Sequence, residues 1–151
     1  MFSTIIGVIV GVIVAIPFTI MPIKKFLSPR NEKKFYSLTL IPIALIYIGF
    51  SYYYGNLTAL HAEIVGVIIF TVLALLSQFM SSWILVIAYL GHGVWDILHE
   101  IFVKGISDGV PWTQVPQGYA AFCLAYDVII AVKMLRNLEE PASMVLHHLS
   151  L

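Results

Sequence analysis

Charge is what this chain has least of. Only 11% of its 151 residues are Asp, Glu, Lys or Arg, against about 25% in an ordinary water-soluble domain. That is too little to coat a water-facing surface. With 60% of the residues hydrophobic and a mean hydropathy of +0.96, the composition belongs to a membrane protein. Formal net charge is zero, so no nucleic-acid partner is indicated. The single cysteine, Cys123, excludes an intramolecular disulfide and a thiolate-based zinc site. It sits in an apolar segment, where it reads as a small packing residue. The first apolar stretch has no basic residues before it and no small-residue cleavage site, so it is expected to be an anchor rather than a cleaved signal. No soluble domain, internal repeat or low-complexity segment is visible.

What is there is a series of apolar runs. About 20 helical residues cross the roughly 30 Å hydrocarbon core of a bilayer. Five runs meet that length, at about 2–21, 35–54, 57–79, 83–103 and 117–135. The expected fold is therefore all-α, a single integral membrane bundle of five transmembrane helices over residues 1–151. In the first run Gly7, Gly11 and Ala15 recur every fourth residue, a small-residue face for close helix approach within the chain or in a homo-oligomer. Pro17 is expected to bend the inner end of that run, because it lacks a backbone donor. Residues 24–34 are basic, and Pro29 and Asn31 mark a turn there. An odd number of spans puts the termini on opposite sides. Seven of the eight Lys and Arg residues then share one side, and only Lys104 lies on the other. That asymmetry predicts an outside N-terminus and a cytoplasmic C-terminus. Residues 104–116 read as a loop on the outer side, a lid over the outer opening or a plain connector, with the connector favoured and Trp112 as an interfacial anchor, and the tail from Arg136 reads as polar and frayed.

The fourth run breaks the apolar pattern. Its stretch YLGHGVWDILHE, residues 89–100, carries His92, Asp96, His99 and Glu100. At about 100° of rotation per residue, positions i, i+4, i+7 and i+8 form one stripe on a helix. A centred carboxylate costs on the order of 3 kcal/mol in a bilayer, so these groups should face the protein interior and meet partners. Depths counted at about 1.5 Å per residue match across runs. His61 falls near His99 and Glu100, Glu63 near Asp96, and Asp127 near His92. His61 and Glu63 are two residues apart and point roughly 200° away from each other on a helix, so both cannot face the fourth span squarely. Of the two, His61 is favoured for its ligand chemistry.

These four carboxylates and three imidazoles have no Lys or Arg beside them in the interiors of the spans. Buried anions without a basic partner repel one another. Protonated carboxylates, cationic histidines or a bound cation would relieve this. Imidazole and carboxylate without thiolate suit a divalent transition metal such as Zn or Fe. The candidate ligands are His92, Asp96, His99, His61 and Asp127, with Glu100 or Glu63 as general base. His92 and His99 are about 10 Å apart along a helix, too far to share one ion. Val103 stands where the second histidine of His-Glu-x-x-His would be, so this is not the zincin motif. A hydrogen-bonded network that only fixes helix register is the alternative.

The run GHGVWDILHE, followed by PWTQVPQGYAAFCLAYDVIIA, resembles a family of small multi-pass bacterial membrane proteins known only as a domain of unknown function. The resemblance implies membrane residence and no activity. In residue types alone there is a looser likeness to intramembrane metal-dependent lipid hydrolases of the ceramidase and adiponectin-receptor sort, whose span number and spacings differ. The sequence is thus expected to encode a multi-pass protein of the cell membrane that contacts membrane lipids. Its leading function is a metal-dependent intramembrane hydrolase acting on a lipid-like small molecule. A proton- or metal-ion-coupled transporter and a non-catalytic assembly subunit, dimerising through Gly7 and Gly11, are the alternatives.

Overall fold

The computed structural model describes residues 1–54, 57–103 and 112–149, with residue 103 and residues 139–149 described by backbone alone. Among the described residues every regular element is helical. Helix α1 spans Phe2–Ile13 and passes through a π-helical segment, Val14–Ile20, into α2, Met21–Phe26. Pro17 lies inside the widened segment. The missing N–H acts there as a change of hydrogen-bond register, the usual way a helix takes up such a defect. The Thr19 hydroxyl donates to the Val14 carbonyl at 2.8 Å in the same segment.

Leu27 and Ser28 are extended, with ψ of 145° and 158°, and Pro29 opens α3, Pro29–Tyr53. Proline suits a first helical position because its absent donor would be unpaired there anyway. The basic stretch expected as a loop is therefore mostly helical. Lys24 and Lys25 end α2, and Arg30 to Lys34 begin α3, on either side of a two-residue break. Helices α4, Leu60–Phe79, and α5, Ser82–Val103, follow the expected runs closely. Helix α6, Tyr119–Leu149, continues beyond the expected end near residue 135, so the tail read as frayed extends the helix. The expectation of a connector at residues 104–111 lies outside the described residues, as do the side chains of His147 and His148.

Among the described residues four helices are long and apolar enough to cross a membrane: Phe2–Phe26, Pro29–Tyr53, Leu60–Phe79 and Ser82–Phe102. Helix α6 is not among them; its apolar part carries Asp127, Lys133 and Arg136. The outward faces are hydrocarbon-like, with Ile9, Val65, Ile68, Ile69, Ile87 and Val94 all exposed. The buried set includes Glu32, Glu63, His92, Asp96, His99 and Asp127. Polar inside and apolar outside is the arrangement a bilayer demands.

Helix α6 packs along both α1 and α5, α3 packs along α4, and the two groups meet mainly where α4 lies on α5. Gly7 and Gly11 are buried in the α1–α6 contact. A Cβ on Gly7 would fall on the Gly118 carbonyl, and one on Gly11 on the Phe122 carbonyl. The small-residue face thus works within the chain. Gly118 itself has φ of +82°, and its Cα faces the Ser3 carbonyl, so the turn into α6 needs glycine twice over.

Candidate functional site

The stripe on α5 divides between two neighbours. His92 and Asp96 turn toward α6, and His99 turns toward α4. Gly93 permits the first contact: a Cβ there would press on Leu124 at 3.0 Å and on the Asp127 side chain at 3.7 Å. Close approach brings Asp127 Oδ2 to 2.8 Å from His92 Nδ1. Asp96 Oδ2, one turn along α5, lies 3.2 Å from the same nitrogen. One ligand atom from each of His92, Asp96 and Asp127 falls within 4.8 Å of the others. All three residues are buried, the two aspartates completely. The Tyr47 hydroxyl, from α3, donates to Asp96 Oδ1. Asp96 Oδ2, Asp127 Oδ1 and His92 Nε2 make no hydrogen bond within the protein. Two carboxylates and an imidazole thus converge on one point, with lone pairs left over. Such a cluster can hold a cation or a proton.

The second pair is built differently. His99 Nδ1 lies 2.9 Å from the Trp95 carbonyl, and His99 Nε2 lies 2.8 Å from Glu63 Oε1. A carbonyl only accepts, so Nδ1 carries a hydrogen. The Nε2–Oε1 contact then needs a proton as well, either on the ring or on the carboxyl. In both cases the pair shares one proton and is neutral overall. Tyr47 connects the two clusters, with its hydroxyl on Asp96 and its ring 4.3 Å from the His99 ring. Trp112 covers this pair: its ring is edge-on to His99 at 4.8 Å and stacks on Phe102 at 5.0 Å. Beside it, the Ser51 and Thr113 hydroxyls are 2.6 Å apart and buried.

The candidate residues are therefore only partly brought together. Asp127 meets His92, as the depth matching predicted. Glu63 meets His99 rather than Asp96. His61 is exposed and stands outside both clusters. Its orientation follows from the two-residue spacing, which lets only one of the pair face α5. The structure turns Glu63 inward, against the preference for His61, because an unpaired carboxylate costs more in hydrocarbon than an exposed imidazole. Glu100 is half-buried on the opposite flank, where it lines a cavity of about 410 Å³ with Thr4, Ile97 and Ala121.

Sequence reasoning missed Tyr47, Ser51 and Thr113. Tyr47 offered a signal, since a tyrosine in mid-span must find a partner for its hydroxyl. It also missed the polar groups at the other end of the bundle. Lys133 Nζ lies 3.1 Å from Glu32 Oε1, joining α6 to α3. Ser37 and Ser77 both donate to the Ala74 carbonyl, at 2.5 and 2.7 Å, and Tyr89 donates to the Tyr36 carbonyl at 2.7 Å. Lys133 and Glu32 had been read as a cytoplasmic cation and a loop acid.

Neither the curated proteins nor the solved structures contain a match to the chain. A family of unknown function, DUF6010, matches residues 3–140, and the chain belongs to that family.

Proposed function

We propose that this chain is a multi-pass protein of the cell membrane and a metal-dependent intramembrane hydrolase acting on a lipid-like substrate. Helix α6 is the fifth span, the N-terminus is outside and the C-terminus is cytoplasmic, as the distribution of basic residues favours. His92, Asp96 and Asp127 would hold one divalent transition-metal ion, Zn or Fe. The observation that carries this reading is the convergence of their three ligand atoms within 4.8 Å, fully buried, with one oxygen of each aspartate unpaired. Charge supports it. A proton on His92 leaves one net negative charge among two carboxylates and one imidazolium. A divalent ion with neutral His92 leaves none. Burial of uncompensated charge in hydrocarbon is the larger cost. Three protein ligands would leave a position for water or substrate, as in catalytic rather than structural zinc.

When bound, such an ion polarises a carbonyl and makes water acidic enough to attack it. The chain's own residues supply the rest. Tyr47 orients Asp96, and the Glu63–His99 pair packs against the Tyr47 ring and holds it in place. His61 and His99 are not needed as ligands in this arrangement, nor Glu100 as the general base. A homo-oligomer would use a face other than Gly7 and Gly11, because both are covered by α6.

Elemental analysis of untagged protein, purified in detergent without added metal, tests the reading. Stoichiometric transition metal is expected in the native protein and in His61→Ala, and its loss in His92→Ala and Asp127→Ala. Folded native protein that carries no metal, and takes none up on titration with Zn or Fe, overturns it. The second reading is a proton- or metal-ion-coupled carrier. It is favoured by Glu32, Lys133 and the buried serines, which put buried polar groups at the other end of the bundle as well. Ion uptake into proteoliposomes under a pH gradient is its test, and absence of flux removes it.

A further inference from the structure

Helices α3 and α6 touch at their ends and part between them. At one end Lys133 reaches Glu32. At the other Tyr119 packs edge-on against Phe50 at 4.9 Å, with Tyr47 at 6.0 Å. Between these two closures lies a cavity of about 210 Å³, lined by Val14, Ile43, Ile46, Phe122, Tyr126 and Asp127, among others. Its walls are apolar. Asp127 is the charged residue on it, wholly buried, and its Oδ1 has no hydrogen-bond partner.

The depth of this cavity decides what can enter. Ile43 and Ile46 lie well inside Pro29–Tyr53, about 10–25 Å from either end of the helix at 1.5 Å per residue. Ile46 is exposed on the rim. The opening therefore faces hydrocarbon, and what meets it there is an aliphatic chain. Small-molecule sites usually measure about 300–1,000 Å³. This cavity is smaller, so it takes part of one chain and excludes a pair.

We propose that the α3–α6 seam is a lateral entry slot that binds a single-chain amphiphile from within the bilayer and brings its polar end to Asp127. Which chemistry follows rests on the metal reading above, but chain binding does not require it. A free fatty acid and a lysophospholipid share the single chain and differ in the polar end. The slot favours whichever group the charge at Asp127 tolerates.

The test uses the full chain in lipid nanodiscs. Photoreactive palmitic acid and photoreactive lysophosphatidylcholine, each with a mid-chain diazirine, are irradiated with the protein, and the labelled peptides are mapped by mass spectrometry. Labelling of Ile43, Ile46 and the Phe122–Tyr126 stretch several-fold above that of lipid-facing Ile68, Ile69 and Val72 is expected with at least one probe. Unlabelled single-chain lipid should compete, and diacyl phosphatidylcholine should not. Ile43→Trp fills the slot and should reduce the α6 labelling to the level of α4; Ile46→Trp, at the exposed rim, does the same with less demand on folding. Even labelling of α3, α4 and α6 overturns the slot, and so does labelling that both variants leave unchanged. Metal content is measured on the same samples. Absent metal with specific labelling removes the metal reading alone; bound metal with even labelling removes the slot alone.

Discussion

Tyr47→Phe deletes one atom from the centre of the bundle and leaves everything around it in place. The ring stays 4.3 Å from His99, and only the proton donated to Asp96 Oδ1 is lost. In a water-soluble protein a hydrogen bond to a charged group contributes about 1.5–3 kcal/mol. In a membrane the unfolded helices stay in the bilayer and find other partners, and measured side-chain bonds average about 0.6 kcal/mol with a maximum near 1.7. A stability loss near 1 kcal/mol is therefore expected. The effect on metal should be larger. Removing a group that orients a ligand typically lowers metal affinity about 10–100-fold, or about 1.4–2.8 kcal/mol. Tyr89→Phe is the matched control. Its hydroxyl is equally buried and donates to the Tyr36 carbonyl at 2.7 Å, away from the cluster. Competition with a chromogenic chelator gives the affinity, and unfolding in mixed micelles gives the stability. The two variants should lose similar stability, and only Tyr47→Phe should lose metal. Equal metal affinity in both would refute the claim that Tyr47 holds Asp96 for an ion.

Three further outcomes follow from the packing. Gly11→Ile puts a side chain onto the Phe122 carbonyl, so it should cost at least about 1–3 kcal/mol of overpacking and leave the oligomeric state, read by sedimentation in detergent, unchanged. Lys133→Met strands Glu32, a buried carboxylate. Its unfolding free energy should fall by about 3–5 kcal/mol, and adding Glu32→Gln should restore most of it; a double variant no better than the single one argues against the pair. Glu63→Gln keeps a donor for His99 Nε2 and should fold normally. Glu63→Leu leaves that nitrogen unpaired and should lose about 1–3 kcal/mol in the same assay.

The spans were legible because each is a long apolar run, and bilayer thickness fixes the length such a run must have. Their ends were not, because a helix does not stop where hydropathy falls. Arg30 to Lys34 are polar, yet Pro29 starts the helix ahead of them. The polar stripe on α5 was legible for a similar reason: period alone puts His92, Asp96, His99 and Glu100 on one side of a rod. Period cannot say how many neighbours share that side. Relative to His92, His99 is turned about 20° one way and Asp96 about 40° the other, a spread of about 60°. That spread is wide enough for α6 to take one end and α4 the other. Depth matching found the Asp127 partner, since depth is a one-dimensional quantity that sequence carries. It misassigned Glu63, since choosing between His61 and Glu63 requires the rotation of α4, and only packing sets that. Tyr47 and Lys133 escaped because both are amphipathic: each has enough apolar surface to look at home in its run. Yet their polar ends add ties from α3 to α5 and α6, at Asp96 and at Glu32. Helix α3 is thus held to α5 and α6 by polar side chains placed above and below the slot, which lets the seam between them stay open in the middle without the bundle coming apart.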